Sequence, residues 1–190
     1  MIYYHGSAIA NLTELQPFSR LHQSEEQVIY LSSGLPYVLF YIWDAEKTGS
    51  SRKWVTGWLK DGITYYEEQF PGQLRAFYEG VHGYIYSILP CESVQPMPQQ
   101  EGLFFSGESV KVYRTQEIPD VYQALLQYEH EGKFKLLRFK DATPAKQEEL
   151  IDRIASYIRE NKLTERDSEH SRFMQKYFVD AWRRAQEAVQ

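Results

Sequence analysis

The chain opens Met1-Ile2-Tyr3-Tyr4-His5-Gly6-Ser7, and the reading of this stretch decides what the rest can be. Its first four residues are apolar or aromatic and favour an extended strand, while the glycine that follows permits a tight bend. We expect a strand ending at His5-Gly6-Ser7. Outward from it, Ala8 to Leu15 suits a short helix broken by Pro17, and the polar stretch 19–27 reads as a loop. That loop leads into Val28-Ile29-Tyr30-Leu31, a short apolar run of the kind that forms a buried strand, closed by Ser32-Ser33-Gly34. Pro36 suits the first turn of a helix. Tyr37, Val38, Phe40, Tyr41 and Trp43 make that helix apolar on nearly every side, so it is expected to be buried.

Beyond the polar run 44–52, two strand-like segments, Lys53 to Leu59 and Ile63 to Gln69, are joined by Lys60-Asp61-Gly62. Asp-Gly supplies the positive φ that a tight hairpin turn requires. Pro71 to Gly80 suits a helix carrying Leu74, Phe77 and Tyr78, and Gly83 to Leu89 alternates as a strand. The proline-containing segment from Pro90 to Gly102 is irregular, and it leads through Leu103-Phe104-Phe105 and Ser106-Gly107-Glu108 to a strand over Val110 to Tyr113. Ile118, Val121, Tyr122, Leu125 and Leu126 mark a helix between Pro119 and Gly132, followed by a strand from Phe134 to Phe139. A further helix opens at Thr143-Pro144 with Leu150, Ile151, Ile154 and Ile158 on one face. Phe173, Met174, Tyr177, Phe178, Ala181 and Trp182 form a second apolar stripe that reads as core packing. Strands broken by irregularly placed helices, without a βαβ rhythm, indicate the α+β class. The expected organisation is one mixed α+β domain over 1–140 and a C-terminal helical extension over 141–190 packed on it.

The bulk composition fits one substantial core. The chain has 190 residues, 43% of them hydrophobic and 25% charged, and a net charge of -5. No stretch approaches the ~20 apolar residues of a membrane span, and the first residues lack the plan of a signal peptide, so we expect a cytoplasmic protein without a membrane partner. The single cysteine, Cys91, excludes an internal disulfide and offers no paired spacing for a structural zinc. The acidic balance argues against broad, phosphate-driven nucleic-acid binding, which draws on many Lys and Arg residues. Fifteen tyrosines exceed what a core normally takes, and tyrosine suits flat ligand faces as well as half-buried packing.

Taken singly, His5 is a hydrogen-bonding ring at a strand end, Gly6 is a place where main chain can be approached closely, Tyr30 and Tyr41 are aromatics, and Glu108 is a loop carboxylate. Their order is more informative. The set resembles the His-Tyr-Glu branch of the ADP-ribosyltransferase superfamily, the branch of poly(ADP-ribose) polymerases and diphtheria-type toxins. Tyr4-His5-Gly6-Ser7 is similar to that family's first motif. Ile29-Tyr30-Leu31-Ser32 resembles its second, with Tyr41 eleven positions after Tyr30 on the following helix. Glu108-Ser109-Val110-Lys111-Val112-Tyr113 resembles its third, a Glu just ahead of a strand, and the irregular segment from Pro90 to Gly107 takes the place of a loop that meets the acceptor. Two positions depart from the pattern: Gln27-Val28 stand where the family has glycines, and Val38 stands where it has a serine.

The resemblance implies a split-sheet α+β fold and a reaction that releases nicotinamide from NAD and passes ADP-ribose to an acceptor. That acceptor is left open between a protein, a nucleic acid and a small molecule, as is the oligomeric state. Glu108 would face the positive charge that develops on the ribose as the glycosidic bond breaks. His5 would hold the adenosine ribose, Gly6 would offer its N–H and C=O to the nicotinamide amide, and with Val38 in place of the family's serine a hydroxyl contact to that amide would come from Ser7, Ser32 or Ser33. Tyr30 would stack on the cationic ring together with Tyr41 or Tyr37, which share a helix face. Alternatives from the same pocket are an RNA 2′-phosphotransferase-like reaction or hydrolysis of NAD. A non-enzymatic interaction domain of this fold is the reading from a different class.

Overall fold

The computed structural model describes residues 1–21 and 25–187; residues 22–24, within the polar stretch, and 188–190 lie outside the described residues. In chain order the strands and helices are β1 (Tyr3–Ser7), β2 (Glu14–Leu15), β3 (Ser19–Arg20), β4 (Gln27–Ser32), α1 (Leu35–Val38), α2 (Ala45–Thr48), β5 (Gly57–Lys60), β6 (Ile63–Glu67), α3 (Gln73–Tyr78), β7 (Gly83–Ile88), β8 (Gln95–Pro96), β9 (Leu103–Ser106), β10 (Val110–Lys111), β11 (Arg114–Ile118), α4 (Val121–His130), β12 (Phe134–Leu137), α5 (Pro144–Glu160), α6 (Glu169–Tyr177) and α7 (Val179–Glu187). Among the described residues, seven helices mixed with antiparallel sheets make the protein α+β. Among the described residues no helix is long and apolar enough to cross a membrane. The chain divides into two compact units, one of residues 1–43, 57–66 and 78–135, the other of residues 44–56, 67–77 and 136–190. The C-terminal helices are therefore joined in their unit by two earlier segments, which no helical period at the C-terminus could reveal.

The first unit is built on a sheet ordered β11-β7-β1-β4-β9-β8, with β3 also paired to β4. One layer of its core gathers Leu15, Ile29, Leu31, Tyr86, Ile88 and Val110. A second is aromatic: Phe40, fully buried, has ring centroids of Tyr66 at 5.0 Å, Tyr78 at 6.1 Å and Phe134 at 6.0 Å, and its carbonyl accepts the Tyr78 hydroxyl at 3.1 Å. The Asp-Gly hairpin forms as expected, with Asp61 at φ 51° and Gly62 at φ 73° between β5 and β6.

Several local expectations are corrected. The stretch Ala8 to Leu15 forms no helix. Instead, the Tyr86 hydroxyl donates to Ile9 O and accepts from Leu12 N–H, and Leu15 enters the core through β2, which pairs with β10. Tertiary contacts outweigh a weak helical preference there. The polar stretch 19–27 is not all loop, since Ser19–Arg20 pairs with Val28 and Gln27 of β4. The strand expected from Lys53 begins only at Gly57, and that expected over Val110 to Tyr113 stops at Lys111. A further strand, β11, follows in residues too polar to show a buried period.

The second unit carries its own aromatic core. Trp54 lies 5.3 Å from both Tyr157 and Phe178, and Phe173 lies 5.7 Å from Phe77. The Thr143 side chain caps α5 by accepting from Lys146 N–H, Pro144 follows at its first position, and Ser168 caps α6. The second stripe breaks at Phe178 into α6 and α7. Glu68, 5% exposed, accepts from Leu74 N–H and from Phe139 N–H, both at 3.2 Å, so one buried carboxylate holds the first turns of two short helical segments. Glu68→Ala should lower the denaturant midpoint, corresponding to a loss of about 1–3 kcal/mol of stability for each N–H left without an acceptor.

His170 packs against Trp54 and Phe173 with Nε2 at 2.9 Å from the Tyr157 hydroxyl and Nδ1 buried without a partner. Burial, with repulsion from Arg52 and Arg166, holds its pKa below the usual histidine range. The neutral form is thus the folded form. Its contribution is fully present above the unfolded pKa of about 6.5 and is lost as pH falls from there through the lower folded value. Thermal midpoints measured from pH 7.5 down to 5 should fall more steeply for the wild type than for His170→Gln.

Candidate functional site

The residues singled out at the N-terminus lie in the first unit, where β1 is flanked by β7 on one side and β4 on the other. Against β7 the ladder is complete, from Tyr3↔Ile88 to Ser7↔Tyr84. Against β4 it consists of one pair, Tyr4↔Ser32, and the two strands part from there. Tyr113 N–H donates to Ser87 O, which turns Ser87 and Ile85 toward β11 and Tyr86 toward β1. The alternation of an antiparallel ladder then turns the main-chain groups of Tyr4 and Gly6 toward β4. Gly6 N–H and C=O face the place where the strands separate.

His5 spans that place. Its Nδ1 is 2.9 Å from the carbonyl oxygen of Tyr30, an atom that only accepts, so the ring carries a proton on Nδ1. The Tyr30 hydroxyl donates to Arg20 O at 2.9 Å, tying its ring to β3. Ser7 Oγ accepts from Ile9 N–H at 3.1 Å and closes the turn after β1.

The helical segment after β4 starts at Gly34 and continues from α1 into a 3-10 turn over Leu39–Tyr41. A Cβ on Gly6 would lie 2.0 Å from the Val38 carbonyl oxygen and 3.3 Å from Ile42 Cγ1. What presses on Gly6 is therefore helix backbone, and the absence of a side chain lets α1 settle directly on β1. Tyr37 and Tyr41, one turn apart, bring their hydroxyls to 3.2 Å with ring centroids at 5.7 Å. Burial raises both phenol pKa values, that of Tyr41 strongly, with added repulsion from Tyr37 and Tyr30. Both stay neutral at any physiological pH and can neither act as bases nor balance a charge. Tyr37 is 8% exposed and spent on packing, whereas Tyr41 keeps part of its surface open.

Contacts thus link His5 to Tyr30 and Tyr37 to Tyr41, with Tyr30 near Tyr41, Gly6 against Val38, and Ser7 next to it on β1. Glu108 stands apart from this group: it is exposed, two residues past β9, and its carboxylate makes no hydrogen bond to any of them. Ser106 Oγ accepts Glu108 N–H and donates to Glu108 O, a turn that carries the chain out of β9. Ser106 pairs with Ile29, so Glu108 lies at the end where β4 begins. The strand that follows it, β10, belongs to the separate two-stranded sheet with β2. The strand paired with β4 is β9, and the carboxylate just ahead of that one is Glu101, at the end where β4 finishes, with Oε1 accepting Gly62 N–H at 3.3 Å. Sequence reasoning missed Glu101 because Leu103 to Phe105 gave no sign of which strand would pair with β4.

Gly6→Ala would force the Val38 backbone away, at a cost of about 1–3 kcal/mol typical of overpacking. A thermal midpoint equal to the wild type would show that α1 does not bear on Gly6. The chain matches no protein-family model, no curated protein and no solved structure.

Proposed function

We propose that the protein is an NAD-dependent ADP-ribosyltransferase that releases nicotinamide and passes ADP-ribose to an acceptor, which is a protein, a nucleic acid or a small molecule. The observation that carries this reading is the parting of β1 from β4 at Gly6. There Gly6, a histidine bonded through Nδ1 to the Tyr30 carbonyl, and a partly exposed tyrosine lie within one unit.

Each group has a physical task. Gly6 N–H and C=O match the carbonyl and amino groups of a carboxamide, the polar end of nicotinamide. Tyr41, the more exposed of the helical pair, stacks on the pyridinium, whose positive charge favours an electron-rich face, while Tyr37 meets Tyr41 through its hydroxyl. Tyr30 supplies the second face, and its tie to Arg20 limits its rotation. His5 holds the adenosine ribose. The neutral phenols position the ring and take no proton.

Loss of nicotinamide leaves positive charge on the ribose, so a carboxylate beside that sugar lowers the barrier. Glu108 is the candidate for this role from the order of motifs, and Glu101 from the pairing of β9 with β4. The two lie at opposite ends of β4, so one variant at each separates them.

NAD at millimolar concentration should raise the thermal midpoint of the wild type, as ligand binding to the folded state requires. Tyr41→Ala should abolish most of that shift, and His5→Ala should reduce it. In assays of nicotinamide release, Glu108→Gln should lower turnover at least a hundredfold, comparable to the loss of a charge-stabilising group, with NAD binding largely retained. Full turnover in Glu108→Gln with loss in Glu101→Gln would transfer the role to Glu101. No stabilisation by NAD in the wild type would reject the reading.

A further inference from the structure

The sheet ordered β12-β6-β5 has a second face that the proposed pocket does not use. Thr64 and Tyr66 are fully buried and Phe134 nearly so, so strand alternation puts the intervening residues on the other side. There Trp58 stands opposite Tyr65, and Lys60 opposite Ile63. The Trp58 and Tyr65 rings are stacked, 5.3 Å apart and 7° from parallel, and Lys135 Nζ lies 5.8 Å from the Tyr65 ring centroid. Cation, phenol and indole thus form one row across three strands. β5 is the edge strand, so the row ends on Trp58, which is 39% exposed.

A cross-strand aromatic pair steadies a hairpin, and this one also fixes the plane of an exposed indole beforehand. An incoming flat ring meets a surface that has already lost its rotational freedom. The charge around it is specific. Lys60 and Lys135 are exposed and form no ion pair among the described residues, while Lys133, just ahead of β12, is held by Glu131 at 2.7 Å. In a chain of net charge -5, this face sets two lysines without ion pairs, one of them resting on the Tyr65 ring and the other followed by Asp61 in the turn, beside a preset indole. The combination matches a partner that alternates flat rings with negative charge.

We propose that this face docks single-stranded nucleic acid, with one base stacked on the outer side of Trp58 and an adjoining phosphate against Lys60 on the same strand, while Lys135 adds positive charge from the far side of Tyr65. A neutral sugar would leave the lysines without a role, and a duplex keeps its bases stacked on one another and offers no open ring face. The site stands apart from the nicotinamide reading and does not depend on it.

A fluorescein-labelled oligothymidylate of about ten nucleotides, titrated with the whole protein at low salt, tests this by anisotropy and by tryptophan quenching. Saturable binding that weakens as salt rises is expected. Trp58→Ala should weaken it about tenfold, within the range for loss of one stacked base, and Trp58→Phe, which keeps an aromatic ring on Tyr65, should weaken it less. Lys60→Glu should reduce both affinity and salt dependence, and it leaves the aromatic pair in place should Trp58→Ala prove unstable. A duplex of equal length should bind more weakly. Absence of binding, equal binding of duplex and single strand, or binding that neither Trp58→Ala nor Lys60→Glu changes would overturn the proposal.

Discussion

The seating of the Val38 carbonyl over Gly6 is the constraint on which the first unit depends. With a Cβ at 2.0 Å excluded, helix backbone rests directly on strand backbone, and three further features follow from that contact. Phe40 is carried into the centre of the Tyr66, Tyr78 and Phe134 rings. Ile42 packs over Gly83 at the start of β7, where a Cβ would again collide, 2.3 Å from Ile42 Cγ2. Tyr37 and Tyr41 are placed side by side near Tyr30. A residue one methyl group larger at position 6 would disturb all three at once, because close-packed interiors pass such strain on.

The same arrangement explains why the parting of β1 from β4 persists. A strand with one partner missing exposes amides and carbonyls that water or a ligand must satisfy. Here the His5 ring reaches across to the Tyr30 carbonyl and supplies one of those bonds from a side chain. The main chain of buried Gly6 is turned toward β4 by the alternation of the ladder with β7. Fold and proposed chemistry thus share one cause: the strand is fully paired on one side so that it can be open on the other.

Much of this was legible in the chain. The strand ending at His5-Gly6-Ser7, the buried β4, the apolar segment after Pro36, the Asp-Gly hairpin and the capped helix after Thr143 all follow from local rules of periodicity, turn chemistry and capping. Failures fall where local preference is weak and distant residues decide. Residues 8–15 lost their helical expectation to Tyr86, more than seventy positions away, and β11 is a strand because β7 offers an edge, although its own residues are mostly exposed. The apolar stripe from Phe173 to Trp182 was visible, but not its break at Phe178, nor the two earlier segments that join it in the second unit.

The sequence by itself determined the α+β class, the order of the aromatic and histidine positions, and the glycine where backbones meet, since each is written in residues a few positions apart. Only the tertiary structure decided that Gly6 faces a parting of strands, that Tyr37 is spent on packing while Tyr41 stays open, and that β9 rather than β10 pairs with β4. The physical reason is range. Side-chain periodicity records which face of a segment is buried, but strand pairing is set by long-range hydrogen bonds and by which core closes over them, and neither leaves a local mark in the residues between.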